Sequence, residues 1–218
     1  MSKKLLMNNY SENGLMPVTD GLMCWLDGRD GQNGDTVWKD RSGKGNDAEL
    51  TNCTWTESAM RVFSDSDDFL VNKPLINNES FTLEVYFSRI MSERPSAAEK
   101  VVSINTTQTW DGSTAIYIRG NNLFYDVGAN TLNHQSKYNK PYHIAIVNDI
   151  NKKNRTAYVD GKLIKTSHDR INYVISFLGN WGGEHMRGDI YSVRLYNRTL
   201  TEAEVQQNYL YEQSIERG

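Results

Sequence analysis

The residues best suited to chemistry in this 218-residue chain are aromatic side chains set among polar ones in turn-rich segments. Thr106-Thr107-Gln108-Thr109-Trp110-Asp111-Gly112 and Gly179-Asn180-Trp181-Gly182-Gly183-Glu184-His185 each combine a tryptophan with amide and acidic groups, and Leu132 to Pro141 adds His134 and Tyr138. Sugars offer apolar C–H faces to ring faces while neighbouring polar groups take their hydroxyls. Trp110, Asp111, Trp181, His185, His134 and Tyr138 are therefore the candidate carbohydrate contacts. A loop tryptophan serves equally well to cover a sheet edge or to fill a subunit interface, so both readings stay open. Trp25, Trp38 and Trp55 are expected in the core.

Other chemistries find less support. Retaining glycoside hydrolysis needs two carboxyl groups about 5–5.5 Å apart, which alternate residues of one strand face can supply. Glu84 in Phe81 to Phe87 has Thr82 and Tyr86 as same-face neighbours, and Asp126 in Leu123 to Val127 lies beside Phe124. Only a dyad assembled from two strands is left. None of His134, His143, His168 and His185 sits in a serine or cysteine hydrolase motif, and His143 reads as a half-buried strand residue. Oxygen ligands suited to calcium crowd the stretch that holds Asp27, Asp30, Asn33, Asp35, Asp40, Asn46 and Asp47. The spacing is not that of an EF-hand: a loop starting at Asp27 puts Arg29 third, and one starting at Asp30 puts Asp35 where glycine is required.

These residues must be carried on strands. From Leu22 onward, short runs alternating apolar and polar recur between Gly, Asn, Asp and Ser clusters, and about a dozen strands emerge. The clearest, Phe81 to Phe87, turns Phe81, Leu83, Val85 and Phe87 to one side; Val174 to Leu178 reads as one further strand. Asp160-Gly161 predicts a tight type I′ hairpin, since that turn needs positive φ at both central residues. Thr201 and Glu204 form a capping box that starts a short C-terminal helix at Glu202.

A chain of this length is expected to form one domain over residues 20–218, preceded by a polar, poorly patterned arm over 1–19 that is either a disordered terminus or a tether. The net charge of -3, with Lys and Arg scattered, shows no phosphate-binding stripe and argues against a nucleic-acid partner. Cys24 and Cys53 are expected reduced and buried. The apolar run of Met1 to Met7 is shorter than the roughly 7–15 residues of a secretory h-region, and no stretch suits membrane insertion.

Three stretches, in order, carry a family resemblance. They are Gly21 to Asp27 with Trp38-Lys39-Asp40-Arg41-Ser42-Gly43-Lys44-Gly45-Asn46-Asp47-Ala48, then Tyr142 to Val147 with Ala157 to Lys162, then Arg187 to Thr201 with its acidic helix. Together they resemble the LamG-like, concanavalin A-like lectin and glucanase superfamily. The resemblance implies an all-β antiparallel β-sandwich jelly roll with one short C-terminal helix. The segment Gly188-Asp189-Ile190-Tyr191-Ser192-Val193-Arg194 looks most like the domains of bacteriophage structural proteins. What this implies is a non-catalytic glycan-binding or adhesion module of a phage virion, with a virion decoration or joining protein as the alternative and a glycoside hydrolase as the third reading. Possible partners are carbohydrate, other virion proteins or further copies of the chain. The superfamily's catalytic Glu-x-Asp-x-x-Glu or Glu-x-Asp-x-Glu strand is missing. Relatives hold calcium near the Ser-Gly-x-Gly-Asn turn, which transfers to Asp40 and Asn46, but the aspartate they add from the closing strand is Tyr191 here. The competing reading gives Asp40 and Asn46 to hydrogen bonds within the turn.

Overall fold

The computed structural model describes residues 14–77, 79–91, 98–105, 114–125, 130–168, 174–175, 177–179 and 185–215. The strands begin with β1 (Leu22–Asp27), β2 (Val37–Trp38), β3 (Ala48–Thr51), β4 (Thr54–Trp55), β5 (Met60–Val62) and β6 (Asp68–Val71). Next come β7 (Ile76–Asn77), β8 (Phe81–Met91), β9 (Ala98–Asn105), β10 (Thr114–Arg119), β11 (Asn122–Tyr125) and β12 (Asn130–Gln135). The chain closes with β13 (Pro141–Asp149), β14 (Asn154–Val159), β15 (Lys162–Ser167), β16 (Val174–Ile175), β17 (Phe177–Gly179), β18 (Arg187–Tyr196) and helix α1 (Glu202–Ser214).

Two large antiparallel sheets form a sandwich. The first runs β15-β14-β13-β8-β18-β5-β4, with β1 also on β18, and the second β12-β11-β10-β9-β17-β6-β3-β2. A small β7–β16 ribbon completes the fold, so Val174 to Leu178 is not one strand but two, paired in different sheets. Alternation explains the core. Phe81, Leu83, Val85 and Phe87 of β8 join Ile144 and Ile146 of β13 in one buried cluster with Val102, Ile116, Ile118 and Leu178 of the second sheet.

The other face of the first sheet is covered as well. There α1 lies over Trp25, Ala145, Val147, Tyr158 and Tyr196, and its own Val205 and Tyr211 complete a second cluster. Val18 is buried in that cluster, and its N–H donates to Asn208 Oδ1 at 2.8 Å. His143 is consequently fully buried rather than half-buried. Trp25, Trp38 and Trp55 are all buried, though Trp25 belongs under the helix and not between the sheets. Asp160 and Gly161 take φ of 50° and 72° in the expected hairpin, and the Thr201–Glu204 capping box is formed in both directions. The cysteines are unpaired; Cys24 is buried, while Cys53 is only half-buried, in the short link that passes from β3 of one sheet to β4 of the other. Among the described residues no helix is long and apolar enough to cross a membrane.

Candidate carbohydrate site

The segment 136–140 joins β12 to β13 and is pinned along its length. Ser136 N–H donates to the Asn121 carbonyl at 2.7 Å, Lys137 N–H to Tyr142 Oη at 3.0 Å, and Asn139 N–H to the Arg89 carbonyl at 2.7 Å. Asn139 adopts a left-handed φ of 55°, a conformation asparagine tolerates better than most side chains. This turn sets Tyr138 over Arg89, whose guanidinium carbon lies 4.8 Å from the ring centroid. Arg89 is 1% exposed, whereas Tyr138 keeps 47% of its surface in solvent.

A buried guanidinium must be matched. Arg89 Nη2 lies 2.7 Å from Glu99 Oε2, and Nη1 donates to the Gly120 carbonyl at 2.7 Å and to Asn121 Oδ1 at 3.3 Å. The ring is thus held on a fixed support with its remaining surface toward water, the disposition that stacks on a sugar's C–H face. The neighbouring turns expose the polar residues Arg119, Asn121, Asn122, Gln135, Lys137 and Lys140, with Lys140 Nζ 4.8 Å from the Tyr142 ring centroid. His134 does not reach out. Its half-buried ring meets Tyr142 edge-on at 5.5 Å and braces the platform from below.

Trp110, Asp111 and Trp181 lie outside the described residues. The points from which their loops spring are described: one is the end of β9, the other the end of its neighbour β17. The first loop joins β9 to β10, and the second leaves β17, which pairs with Ser103 to Asn105, and returns at His185 beside Lys100. Gly179, where the second loop leaves, is required: a Cβ there would stand 2.2 Å from the Phe69 carbonyl oxygen. His185 is 3% exposed, and its N–H donates to Asp65 Oδ1 at 3.2 Å. Burial, with Lys100 and Arg187 nearby, holds its imidazole below the usual range against the pull of the Asp67 backbone and Asp65. At this burial His185 does not present its ring to a ligand. Its neighbour Lys100 follows Glu99, so the His185 region and the Tyr138 platform meet at adjacent residues of β9.

Asp40 and Asn46 do come together, but as a turn. Asp40 Oδ1 accepts from the N–H groups of Trp25 (2.9 Å) and Ser42 (2.8 Å), and Oδ2 from Ser42 Oγ (2.7 Å) and Asn46 N–H (2.8 Å). Asn46 is buried and donates from Nδ2 to the Met23 carbonyl. Four donors aim their hydrogens at the oxygens a cation would need, so these residues do not fit calcium as arranged. Asp27 and Asp30 are engaged by Arg29 and Arg41. Tyr191 bonds Ser88 through its hydroxyl at 3.1 Å. No group of three His, Cys, Asp or Glu suited to a metal occurs among the described residues.

Glu84, the strand carboxylate weighed for hydrolysis, is sealed under α1. Asn208 Nδ2 donates to it at 2.8 Å, His143 Nε2 stands 3.6 Å away and Arg194 3.9 Å away, and Arg194 in turn bonds Glu212. All four charged or titratable groups have side chains no more than 1% exposed, a structural network with no route for substrate. Sequence reasoning missed Arg89. Its signal is faint: an arginine that continues the Phe81, Leu83, Val85 and Phe87 face of β8, where a charge needs a buried partner.

Residues 63–206 match the model of the concanavalin A-like lectin/glucanases superfamily, and the chain belongs to that superfamily. No curated protein sequence matches it. Among solved structures it is similar to Trypanosoma rangeli sialidase (TM-score 0.70, 18% identity, 88% of this chain and 33% of that one). The same sialidase in complex with sialic acid aligns at TM-score 0.68 and 17% identity, with 88% and 33% covered. The binding domain of botulinum neurotoxin serotype D aligns at 0.64 and 18%, with 90% and 52% covered. The chain therefore spans about a third of the sialidase and half of the toxin domain. At these identities the likeness shows a shared lectin-like sandwich.

Proposed function

We propose that this protein is a non-catalytic glycan-binding module. The observation that carries the reading is Tyr138, half in solvent, lying on a buried guanidinium between turns that expose amides and amines. Structural neighbours whose descriptions include a sialic acid complex and a toxin binding domain support it. The sealing of Glu84 beneath α1 supports the absence of hydrolysis at that strand. Trp181 is proposed as a further contact, because its loop leaves β17 opposite Ser103 and returns beside Lys100, next to Glu99; Trp110, whose loop leaves β9 at its other end after Asn105, is proposed as a separate contact. A glycan array probed with the purified chain tests the reading, alongside release of reducing sugar from each bound glycan. Binding without release is expected. No binding to any glycan by a folded chain would overturn the module, and release would overturn its non-catalytic character.

A second reading has its own observation. β15 is the end strand of the first sheet, and Leu163, Ile164 and Leu210 are among the exposed large apolar side chains. An edge of this kind suits joining to other subunits, as in a decoration protein. Placement on a bacteriophage particle rests on the resemblance of Gly188 to Arg194 to phage structural domains. Light scattering and the protein composition of purified particles distinguish these: a monomer absent from particles would end the second reading.

A further inference from the structure

We infer that the saccharide taken by the Tyr138 platform is anionic. The inference rests on the glycan-binding function proposed for this site, and it comes from the charges around the ring. The two segments that frame it, Arg119-Gly120-Asn121-Asn122 and Ser136-Lys137-Tyr138-Asn139-Lys140, bring three cations and no Asp or Glu. Arg119, Lys137 and Lys140 are all exposed. Their backbones are fixed relative to one another: Arg89 ties Gly120 to the ring, and Ser136 N–H bonds the Asn121 carbonyl. Glu99, the carboxylate beneath the platform, is 4% exposed and matched by Arg89, so it does not offset the amines outside.

A chain with net charge -3 has no general reason to place three cations, and no Asp or Glu, on the two turns that frame one exposed ring; one of them, Lys140, lies with Nζ 4.8 Å from the centroid of the Tyr142 ring beside it. Holding them together costs mutual repulsion, which a bound anion relieves. A neutral sugar would need the ring and the amides Asn121, Asn122 and Gln135 but none of this charge. The shared ligand chemistry is a pyranose with an apolar face for Tyr138 and a carboxylate or sulfate ester within reach of the lysines. Single-stranded nucleic acid fits less well, since such sites stack successive bases along a basic groove. Here one ring stands on the platform.

The test is calorimetric titration of the full chain at low and moderate salt with four probes: oligogalacturonate, sulfated dextran, a neutral galactan oligosaccharide and oligothymidylate. The variants are Tyr138→Ala, the double change Lys137→Gln with Lys140→Gln, and a control with equal charge loss at exposed Lys44 and Lys162. Thermal melting verifies that each is folded. Expected is binding of an acidic probe roughly tenfold or more tighter than the neutral one at low salt, weakening as salt rises. Tyr138→Ala and the lysine pair should each lower it about tenfold, and the control should not. Preference for oligogalacturonate or for sulfated dextran tells carboxylate from sulfate, and either supports the inference. Equal affinity for neutral and acidic probes overturns it while leaving the glycan module standing. Binding of no saccharide overturns both, and tightest binding of oligothymidylate overturns it in favour of nucleic acid. Indifference to Tyr138→Ala removes the site.

Discussion

Asp68 on β6 shows how a single side chain reports its surroundings. Partial burial pushes its carboxyl up to about 6 from 3.8, against the Phe69 backbone and Lys100, and Oδ1 has no hydrogen-bond partner. A proton held more tightly by the folded than the unfolded chain makes ionised Asp68 a liability. The penalty is absent below pH 3.8, grows as pH rises toward about 6, and is full above it. Asp68→Asn should stabilise the fold at neutral pH by about 1 kcal/mol, well under the full linkage value because the group is partly solvated, and have no such effect below pH 3.8. Melting curves of both chains across that range measure it. Asp40 makes the opposite kind of statement. Its oxygens are occupied by four donors, so calcium and chelator should both leave the melting temperature unchanged. A calcium-dependent rise would reinstate the metal at that turn.

At the scale of elements, features with local causes were legible in the sequence. Asp160-Gly161 needs only its own backbone freedom, and Thr201 with Glu204 needs only the first turn of α1. Thr201→Ala should cost about 1 kcal/mol in denaturant unfolding. Glu204 is held at about 2, chiefly by Arg198 and also by Thr201, so its contribution is present above pH 4.5 and is lost as pH falls toward 2. Elements with distant causes were not legible. β12, Asn130 to Gln135, has one apolar side chain in Leu132 and is a strand because β11 offers it a ladder. Val174 to Leu178 looks continuous, yet β7 claims one half and β6 with β9 the other. Arg89 belongs here too. Nothing near it in sequence foretells Glu99, Gly120 or Tyr138.

Across the whole molecule, the covered face of the first sheet distinguishes this sandwich from two sheets alone. Arg194 lies between Glu84 and Glu212 under α1, with its guanidinium over the rings of Trp25 and Tyr211 at 5.3 and 5.2 Å. Arg194→Met would leave two buried carboxylates without their cation and should destabilise the chain by about 3–5 kcal/mol, measured by urea unfolding. The loop aromatics were legible as residue types, but their grouping was not: Tyr138 gained a guanidinium support, His134 packs on Tyr142, His185 is buried, and Trp110 and Trp181 lie outside the described residues. Glycan recognition by the Tyr138 platform is therefore the central claim. Its most direct measurement is the backbone amide NMR spectrum of the labelled chain during titration with a glycan that it binds. Shifts concentrated at Ser136 to Lys140 and at Gly120 and Asn121, on the turns that hold Tyr138 and Arg89, are the predicted result. Shifts confined to α1 or β15, with those turns unmoved, would contradict the account.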